Sequence, residues 1–428
     1  MATSIIIIGA GAAGLQAGRR LAEAGHRVIL LEAAAEPGGR ILRLTPKGFS
    51  APVEGGAEFI HGSLPFSLRL ARESGTGLQP VKALMVRRTK GSAWDSGEEG
   101  EAGADWGMLM AAMAELTDDI PIAAFLVRHF PGERWSQLRE SVRRFAEGYD
   151  LADLHRASTR ALYREWSAEE DEVEWRPVGG YRPMIDFLVA ECRRMGAELH
   201  YSSPVTDISW EKGRVAVTTA GGRVFEAGRL VVSVSLGVLE TGGLHFHPVL
   251  PEMEAAVKRL GYGSVVKILL EFTHPFWLEK KPRDQTLFIL SDQPVPTWWT
   301  QVDEDSRVLT GWLAGEAMKR WQQLGEAARL DSCPESLAGI FLVEVEWLRK
   351  QLVASLMLDW AGAPFVRGGY SFETVEAAES RALLGKGIAD TIFFCGEAFY
   401  EGEEAPGTVE AALQSGDEAA GKIIRARW

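Results

Sequence analysis

The stretch IIIIGAGAAG, residues 5–14, joins an apolar run to glycines with the spacing Gly-x-Gly-x-x-Gly. Four consecutive isoleucines predict a buried strand, and the residues after Gly14 predict a helix rich in Ala, Leu and Arg. In such a unit Gly9 makes the tight turn, Gly11 lets the backbone approach a pyrophosphate, and Gly14 lets the helix pack closely on the strand. Ala13 lies in the first helical turn, whose free N–H groups would face the phosphates.

A second apolar run, residues 28–31, ends in an acid. Glu32 is placed to accept a hydrogen bond from a ribose hydroxyl, which favours an unphosphorylated ribose and therefore FAD or NAD over NADP. The turn EPGGRI (36–41) follows, and its Gly39 and Arg40 would reach back over the same pyrophosphate. Together with the first stretch, these residues predict an α/β, Rossmann-like dinucleotide-binding domain.

The order G-A-G-x-x-G, then E, then G-G-R resembles the flavin-containing amine oxidases. The resemblance runs along nearly the whole chain and is closest in motif to the polyamine oxidases. It continues through seven segments in the family's order: VEGGAEFIHG (53–62), VGGYRPMIDFL (178–188), YSSPVTDISW (201–210), LVVSVSLGVL (230–239), SVVKILLEF (264–272), WAGAPFVRGGYSF (360–372) and FFCGEAFYEGEEAPGTVEAALQSG (393–416).

This resemblance implies a discontinuous FAD-binding domain and a mixed α+β substrate-binding domain of the amine oxidase type. The expected FAD segments are 1–75, 200–260 and 380–428, and the substrate domain would comprise 76–199 and 261–379. The sequence itself predicts a β-meander over 214–234, because alternating strands are separated by an AGG turn. It also predicts mostly helix over 106–195 and an exposed acidic loop over 95–105.

The composition narrows the possible partners. The chain has 428 residues and a formal net charge of −13, which disfavours nucleic acid and is compatible with a cationic substrate. Its three cysteines are far apart and have no metal-binding spacing, so a reducing compartment and no metal site are expected. No secretory signal or membrane-spanning run is visible, and a cytoplasmic monomer or homodimer with no membrane partner is expected.

The resemblance also implies which residues contact FAD. The cofactor would be non-covalent, because Gly369 stands where monoamine oxidases carry the cysteine that bonds to it. Besides the residues of the first two motifs, the implied contacts are Gly56, Ala57 and Glu58 along the flavin, Val205 at the adenine region, Trp360 at the pyrimidine edge, Gly396 and Glu397 at the ribityl or pyrophosphate, and Thr408 and Val409 at the start of a helix under the flavin ring.

Lys267 is an unexpected residue in a predicted half-buried strand. Val266 and Ile268 begin its apolar face, and Lys267 lies between Val265 and Leu269 on the other face. The ammonium group either reaches water along its aliphatic stem or is held in a dry place for a reason. The resemblance aligns Lys267 with the lysine that holds a water molecule beside flavin N5, which implies a catalytic role.

Three further residues are candidates for substrate contact through the resemblance. Tyr370 matches an aromatic wall of the substrate slot, whereas Thr408 stands near the place of a second aromatic wall that is absent, which suggests a wider slot. His61 and Glu58 would suit a substrate with several ammonium groups, with His61 also able to titrate with a bound amine. The alternatives are a core tyrosine, a packed loop histidine and a solvated glutamate.

The function implied is that of an FAD-dependent amine oxidase. The hydride equivalent on the carbon beside the amine nitrogen would pass to flavin N5, water would hydrolyse the imine, and O2 would become H2O2. A polyamine or another extended amine is favoured as the small-molecule substrate; an L-amino-acid oxidase, a monoamine oxidase and a flavin-binding scaffold with little turnover stay open. Histone demethylation is disfavoured. The roles of Trp298, Trp299 and the acidic stretch 166–175 stay undecided.

Overall fold

The computed structural model of the chain describes residues 4–88, 101–168, 173–280, 286–303, 305–402 and 406–426. The strands formed by these residues are β1 (Ser4–Ile8), β2 (Arg27–Leu31), β3 (Arg43–Leu44), β4 (Val53–Glu54), β5 (Ile60–His61), β6 (Leu78–Pro80), β7 (Ala83–Arg88), β8 (Glu174–Pro177), β9 (Glu198–His200), β10 (Val205–Glu211), β11 (Arg214–Thr219), β12 (Val224–Ala227), β13 (Arg229–Val232), β14 (His245–His247), β15 (Gly261–Tyr262), β16 (Val265–Phe272), β17 (Thr286–Ser291), β18 (Thr297–Thr300), β19 (Val308–Ala314), β20 (Leu352–Asp359), β21 (Ser371–Phe372) and β22 (Ile392–Phe394).

The helices of the same residues lie between and around these strands. They are α1 (Ala12–Glu23), α2 (Pro65–Glu73), α3 (Glu101–Ala114), α4 (Ile122–His129), α5 (Ser136–Gly148), α6 (Thr159–Ala168), α7 (Arg182–Arg194), α8 (Leu236–Glu240), α9 (Pro251–Arg259), α10 (Gly315–Gln322), α11 (Glu326–Phe341), α12 (Val345–Gln351), α13 (Ala377–Gly385) and α14 (Val409–Arg425).

A five-stranded parallel sheet in the order β22-β13-β1-β2-β9 holds the glycine-rich turn at the end of β1. Helices α1, α7 and α14 pack on one face through Ile5 and Ile7, and a second apolar cluster containing Ile6 and Ile8 covers the other face. Because both faces are covered, the four isoleucines of β1 are all buried. The predicted α/β, Rossmann-like architecture is confirmed.

The same sheet extends across one predicted boundary. The second FAD segment was expected to begin at residue 200, yet β9 (Glu198–His200) is an edge strand of the five-stranded sheet. Helix α7 also packs on α1, with Leu188 and Cys192 in the core shared with β1. Helix α7 and strand β9 therefore both pack with the five-stranded sheet. The wider division into two domains stays a prediction.

The predicted meander is correct for its first strands and wrong for its last. Strands β12, β11 and β10 form an antiparallel ladder, and β14 adds to β10 in parallel. The next strand, β13, instead pairs with β1 and β22 in the parallel sheet. All four residues of β13 are buried, and such a strand needs cover on both faces, which a two-layer meander does not provide.

The strand that carries Lys267, β16, lies between β20 and β19 in a six-stranded sheet of order β20-β16-β19-β18-β17-β7. All eight residues of β16 are buried, so the expected half-buried strand is wrong. Val266, Ile268 and Leu270 pack into a core rich in aromatic side chains, whereas Val265 and Leu269 belong to two smaller apolar clusters on the opposite face. Lys267 therefore has no route to water along a solvated face of the sheet.

The region before α7 is mostly helical, as predicted, with β8 as its strand. Residues 101–105 belong to α3 and not to an exposed loop, because Leu109 and Met113 anchor this helix in a helical core and its first turns extend from them. The rest of the predicted acidic loop, 95–100, lies outside the described residues. Among the described residues, helices are too short or too polar to cross a membrane, and His, Cys, Asp and Glu do not cluster as they would to hold a metal ion.

Candidate active site

A cavity of about 2570 Å³ extends from the glycine-rich turn to the six-stranded sheet. Small-molecule pockets usually have volumes of roughly 300–1,000 Å³, so this cavity has room for a dinucleotide and a second molecule. It is lined by residues of all the predicted motifs, from Gly9 and Gly11 at one end to Lys267, Tyr370 and His61 at the other. One continuous cavity therefore joins the predicted cofactor-binding residues to the predicted substrate-binding residues.

The glycine-rich turn has the shape expected of a phosphate cradle. Gly9 has a φ of +103°, which favours glycine, and a Cβ added at Gly14 would clash with the carbonyl oxygen of Gly9. Gly11 is the N-cap of α1 and faces open space, since an added Cβ would find only Gly38 O, at 3.9 Å. No side chain caps α1, whose first N–H groups are thus available to an anion. Gly14 does not line the cavity and serves the close helix–strand packing.

Glu32 is held rigidly where β2 ends. Its two carboxylate oxygens accept hydrogen bonds from the backbone N–H groups of Ala10 and Ala34, at 2.7 and 2.8 Å. Burial raises the pKa of Glu32, and these backbone donors oppose the rise. The carboxylate lines the cavity beside the glycine-rich turn, in the position predicted for a ribose contact.

Arg40 and Glu397, which are far apart in the sequence, form an ion pair in the cavity wall. Arg40 Nη1 donates to Glu397 Oε1 at 2.7 Å and to the carbonyl oxygen of Gly369 at 2.8 Å. Glu397 also accepts from the hydroxyl of Ser371. Burial opposes the charge on Arg40, but Tyr262 and Glu397 outweigh it and raise the pKa of the guanidinium. The ion pair thus connects the N-terminal cofactor segment, which contains Arg40, to the C-terminal one, which contains Glu397.

The other predicted cofactor residues also face the cavity. Thr408 is the N-cap of α14, where its Oγ1 accepts from Ala411 N at 3.3 Å, so that a helix does begin at this end of the cavity. Trp360 Nε1 donates to Gly55 O at 3.1 Å, which fixes the indole in the wall. The remaining lining residues of this group are Ala13, Gly39, Gly56, Ala57, Val205, Gly396 and Val409.

Lys267 is held in a dry place rather than in contact with water. It is only 1% exposed, and its Nζ donates to the carbonyl oxygen of Gly56 at 2.9 Å. Nζ also donates to Oε1 of Glu58 and lies 5.6 Å from the ring centroid of Trp299. Nothing in the sequence predicts this ion pair, because Glu58 lies in the N-terminal third of the chain and meets β16 only through the tertiary fold.

Glu58 has a different setting from the one expected of a substrate carboxylate. Its Oε1 accepts from Lys267, and Arg176 lies 3.3 Å from its Oε2, so both oxygens face cations of the chain itself. Burial raises the pKa of Glu58, but Lys267 and Arg176 outweigh the burial and the net direction is downward. In this geometry the Glu58 carboxylate holds Lys267. A contact between Glu58 and the substrate stays a prediction.

Aromatic side chains form a continuous row along the cavity wall, which we call the aromatic row. It consists of Tyr370, Trp312, Trp299, Phe288, Phe59 and His61, and its successive ring centroids lie 5.9–6.4 Å apart. The rings of Tyr370 and Trp312 are nearly parallel, with an interplanar angle of 27°. Trp312, Phe288 and Phe59 were not among the predicted site residues.

Trp298 and Trp299, whose roles the sequence left undecided, are neighbours in β18 and have different surroundings. Trp299 lines the cavity, whereas Trp298 is fully buried in the core and its Nε1 donates to Val295 O at 3.0 Å. Adjacent residues of a strand face opposite sides of a sheet, so one tryptophan of the pair had to face each way.

His61 stands at the far end of the aromatic row. Its Nδ1 lies 2.9 Å from Oε1 of Glu174, and its side chain is 41% exposed. Glu174 is the one acid of the acidic stretch 166–175 within the described residues, since residues 169–172 lie outside them. The two side chains place an ionisable pair where the cavity meets solvent.

The cradle, the fixed acid and the cavity between two sheets are those of a dinucleotide-binding protein. A family model described as flavin containing amine oxidoreductase matches residues 12–424, and the chain belongs to that family. The predicted family membership and the flavin cofactor, FAD, are therefore confirmed.

Several proteins are similar to this chain over nearly all of its length. It is 28% identical over 452 residues to lysine-specific histone demethylase 1 homolog 2 of Oryza sativa subsp. japonica, covering 100% of this chain and 57% of that protein. It is also 28% identical over 451 residues to lysine-specific histone demethylase 2 of Homo sapiens, covering 98% and 53%. The chain thus spans little more than half the length of these curated relatives.

Two solved structures share the fold across the whole chain. Putrescine oxidase in complex with putrescine superposes with a TM-score of 0.83 at 19% identity, covering 100% of both chains. Cyclohexylamine oxidase from Brevibacterium oxydans superposes with a TM-score of 0.80 at 18% identity, covering 99% of both. These likenesses confirm the amine oxidase type of fold. The curated relatives named above are called histone demethylases. They therefore give no support to the expectation that histone demethylation is disfavoured.

Proposed function

We propose that this protein is an FAD-dependent amine oxidase that acts on an extended amine and uses O2 as the acceptor, with release of H2O2. The observation that carries the proposal is the buried ammonium group of Lys267, which is fixed in the wall of a cavity that also contains the phosphate cradle. A buried and specifically paired ionisable group in a cleft is typical of a functional site.

The residues of the cavity fit FAD bound without a covalent bond. The open backbone at Gly11 and the uncapped start of α1 would hold the pyrophosphate, and Glu32 would accept from a ribose hydroxyl. The start of α14 would supply positive potential at the flavin end. At Gly369 the chain has no side chain that could bond to the cofactor.

The chemistry divides between cofactor and protein. When bound, FAD would supply the acceptor for the hydride equivalent on the carbon beside the amine nitrogen, and water would hydrolyse the oxidised amine. The work of the chain is to exclude water, to orient the amine against Tyr370 and Trp312, and to present the Lys267 ammonium group to the reacting end of the cavity. A neutral amine in such a slot needs no strong base from the protein.

The length of the aromatic row favours an extended substrate. Six rings continue from Tyr370 to His61, and aromatic faces attract ammonium groups while they also pack against methylene chains. A long polyamine with a second cation near His61 and Glu174 would contact several of these rings at once. Putrescine, which is named as the bound molecule of one structural neighbour, is a shorter diamine that would contact only part of the row.

A second candidate substrate is the amine of a lysine side chain on a peptide. The names of the curated relatives favour it, because those proteins are lysine-specific histone demethylases. A lysine side chain also carries its amine on four methylenes, so it would contact the rings nearest Tyr370. Under this alternative His61 and Glu174 would contact the peptide that carries the lysine.

A panel of amines tests the proposal and separates the two candidates. We expect the FAD-loaded protein to release peroxide with putrescine, spermidine or spermine at least about tenfold faster, in kcat/KM, than with short monoamines or L-amino acids, a ratio worth about 1.4 kcal/mol. Formaldehyde and peroxide released only from an N-methylated lysine peptide would favour the second candidate. L-amino acids as the best substrates would contradict both.

A further inference from the structure

Lys267 is one member of a buried group of charges that joins three segments of the chain. Glu58 follows β4, Arg176 lies in β8, and Glu54 is the last residue of β4. Glu58 contacts both Lys267 and Arg176, the latter at 3.3 Å, and Glu54 is paired with Arg43 at 3.2 Å. We call Lys267, Glu58, Arg176 and Glu54 the Lys267 network.

We propose that Glu58 is the positioning residue of this site, and that Glu58 and Arg176 together set where the Lys267 ammonium group lies and how strongly it keeps its charge. The inference deepens the proposed function, on which it rests for the importance of Lys267. It assigns Glu58 to a lysine of the chain itself, in place of an ammonium group of the substrate.

Three observations carry the proposal. Lys267 and Glu58 have side chains that are only 1% and 3% exposed, and a buried ammonium group is tolerated only when it is paired and hydrogen-bonded. Gly56 O accepts from the same Nζ, so two acceptors two residues apart determine its position. Arg176 approaches the second oxygen of Glu58, which prevents that carboxylate from turning away from Lys267.

The charges around Lys267 act in opposite directions. Burial lowers the pKa of Lys267, Glu58 and Glu54 raise it, and Arg176 lowers it. Glu54, itself buried, has a pKa raised to about 7, because burial outweighs the attraction of Arg43 and because Glu58 adds repulsion. These are the charged groups among the described residues that act most strongly on Lys267. The loss of Glu58 and the loss of Arg176 must therefore shift the titration of Lys267 in opposite directions.

The test follows the titration of Lys267 itself rather than the turnover rate. The full-length protein, in its oxidised and FAD-loaded form, would be labelled with ¹³Cε-lysine, and the Lys267 resonance would be assigned by its loss in Lys267→Met. We expect Glu58→Gln to lower the titration midpoint of this resonance by at least about one pH unit, since a close opposite charge shifts a pKa by about 1–3 units. Arg176→Met should raise the midpoint by a smaller amount.

Glu271→Gln is the matched control. Glu271 is buried on the same face of β16 as Lys267 and is also ion-paired, with Arg307 at 3.0 Å, but it does not line the cavity. This variant should leave the Lys267 midpoint where it is. If Glu58→Gln folds poorly, Arg176→Met alone still decides, because a merely structural role for the network predicts no upward shift.

The outcomes separate this inference from the proposed function. A Lys267 midpoint that is unmoved in both Glu58→Gln and Arg176→Met would overturn the inference. So would a Glu58→Gln variant whose only effect is a KM that rises more for diamines than for monoamines, because Glu58 would then bind substrate. If the midpoint shifts as expected while no amine is oxidised, the Lys267 network stands and the proposed function fails.

Discussion

Lys267→Met is expected to retain FAD and to slow amine-dependent flavin reduction, flavin reoxidation by O2, or both, by about 10²-fold or more. The removal of one preorganised donor at a reacting centre typically costs this much. Methionine keeps the unbranched shape of the side chain and lacks only its terminal ammonium group, and Arg176 remains beside Glu58 to balance its charge, so the fold should survive. Stopped-flow absorbance of the two half-reactions measures the effect on each step separately.

Leu269→Met is the control for this variant. Leu269 lies on the same face of the same strand, is buried, and packs beneath the loop that follows β3 rather than at the cavity. A Leu-to-Met change conserves side-chain volume and usually costs less than about 1.5 kcal/mol of stability. Leu269→Met should therefore change the rate of neither half-reaction by more than about twofold. Unchanged kinetics of both half-reactions in Lys267→Met would remove Lys267 from the chemistry.

Gly14→Ala is expected to lose bound FAD and about 3 kcal/mol of stability. The new Cβ would clash with the carbonyl oxygen of Gly9 and lie 2.5 Å from Ser233 Oγ, so α1 would have to move away from β1. Overpacking of this kind typically costs about 1–3 kcal/mol, and here the close contact is with rigid backbone. The cradle at Gly11 would move with the helix. Denaturant unfolding and the FAD content of the purified protein measure the two effects.

Gly107→Ala provides the matched control. Gly107 also lies inside a helix, α3, but a Cβ there would find nothing within 4 Å. Alanine is favoured over glycine in a helix interior by about 0.5–1 kcal/mol, so this variant should be slightly more stable and should keep its FAD. Equal behaviour of the two variants would mean that Gly14 is not held against the turn as the structure describes.

The dinucleotide-binding part of the fold could be predicted because its signals are local. The strand, the three glycines and Glu32 lie within one short stretch, and each has a role set by backbone geometry, such as the positive φ of Gly9. The helix that begins after Thr408 was implied by the resemblance instead, and Thr408 is its N-cap residue.

The setting of Lys267 could not be predicted from the sequence alone. A strand buried on both faces differs from a half-buried strand only in what packs on its second face. The residues that cover Lys267 lie after β4 and in β8, far from β16 in the sequence. Trp312 could not be predicted for the same reason, because it stacks on Tyr370 only where two segments far apart in the sequence approach each other. Contacts between distant segments leave no local pattern, so resemblance could supply the position of Lys267 but not its partner.

The cavity, its cofactor-binding residues and the aromatic row all point to one reaction, the oxidation of an amine by bound flavin. Anaerobic titration of the FAD-loaded protein with spermine, putrescine and an N-methylated lysine peptide tests it most directly, with the visible absorbance of the flavin as the readout. We expect at least one of these amines to bleach the flavin completely, and we expect the flavin of Lys267→Met to bleach far more slowly. Flavin absorbance that stays unchanged with these amines, with monoamines and with L-amino acids would contradict it.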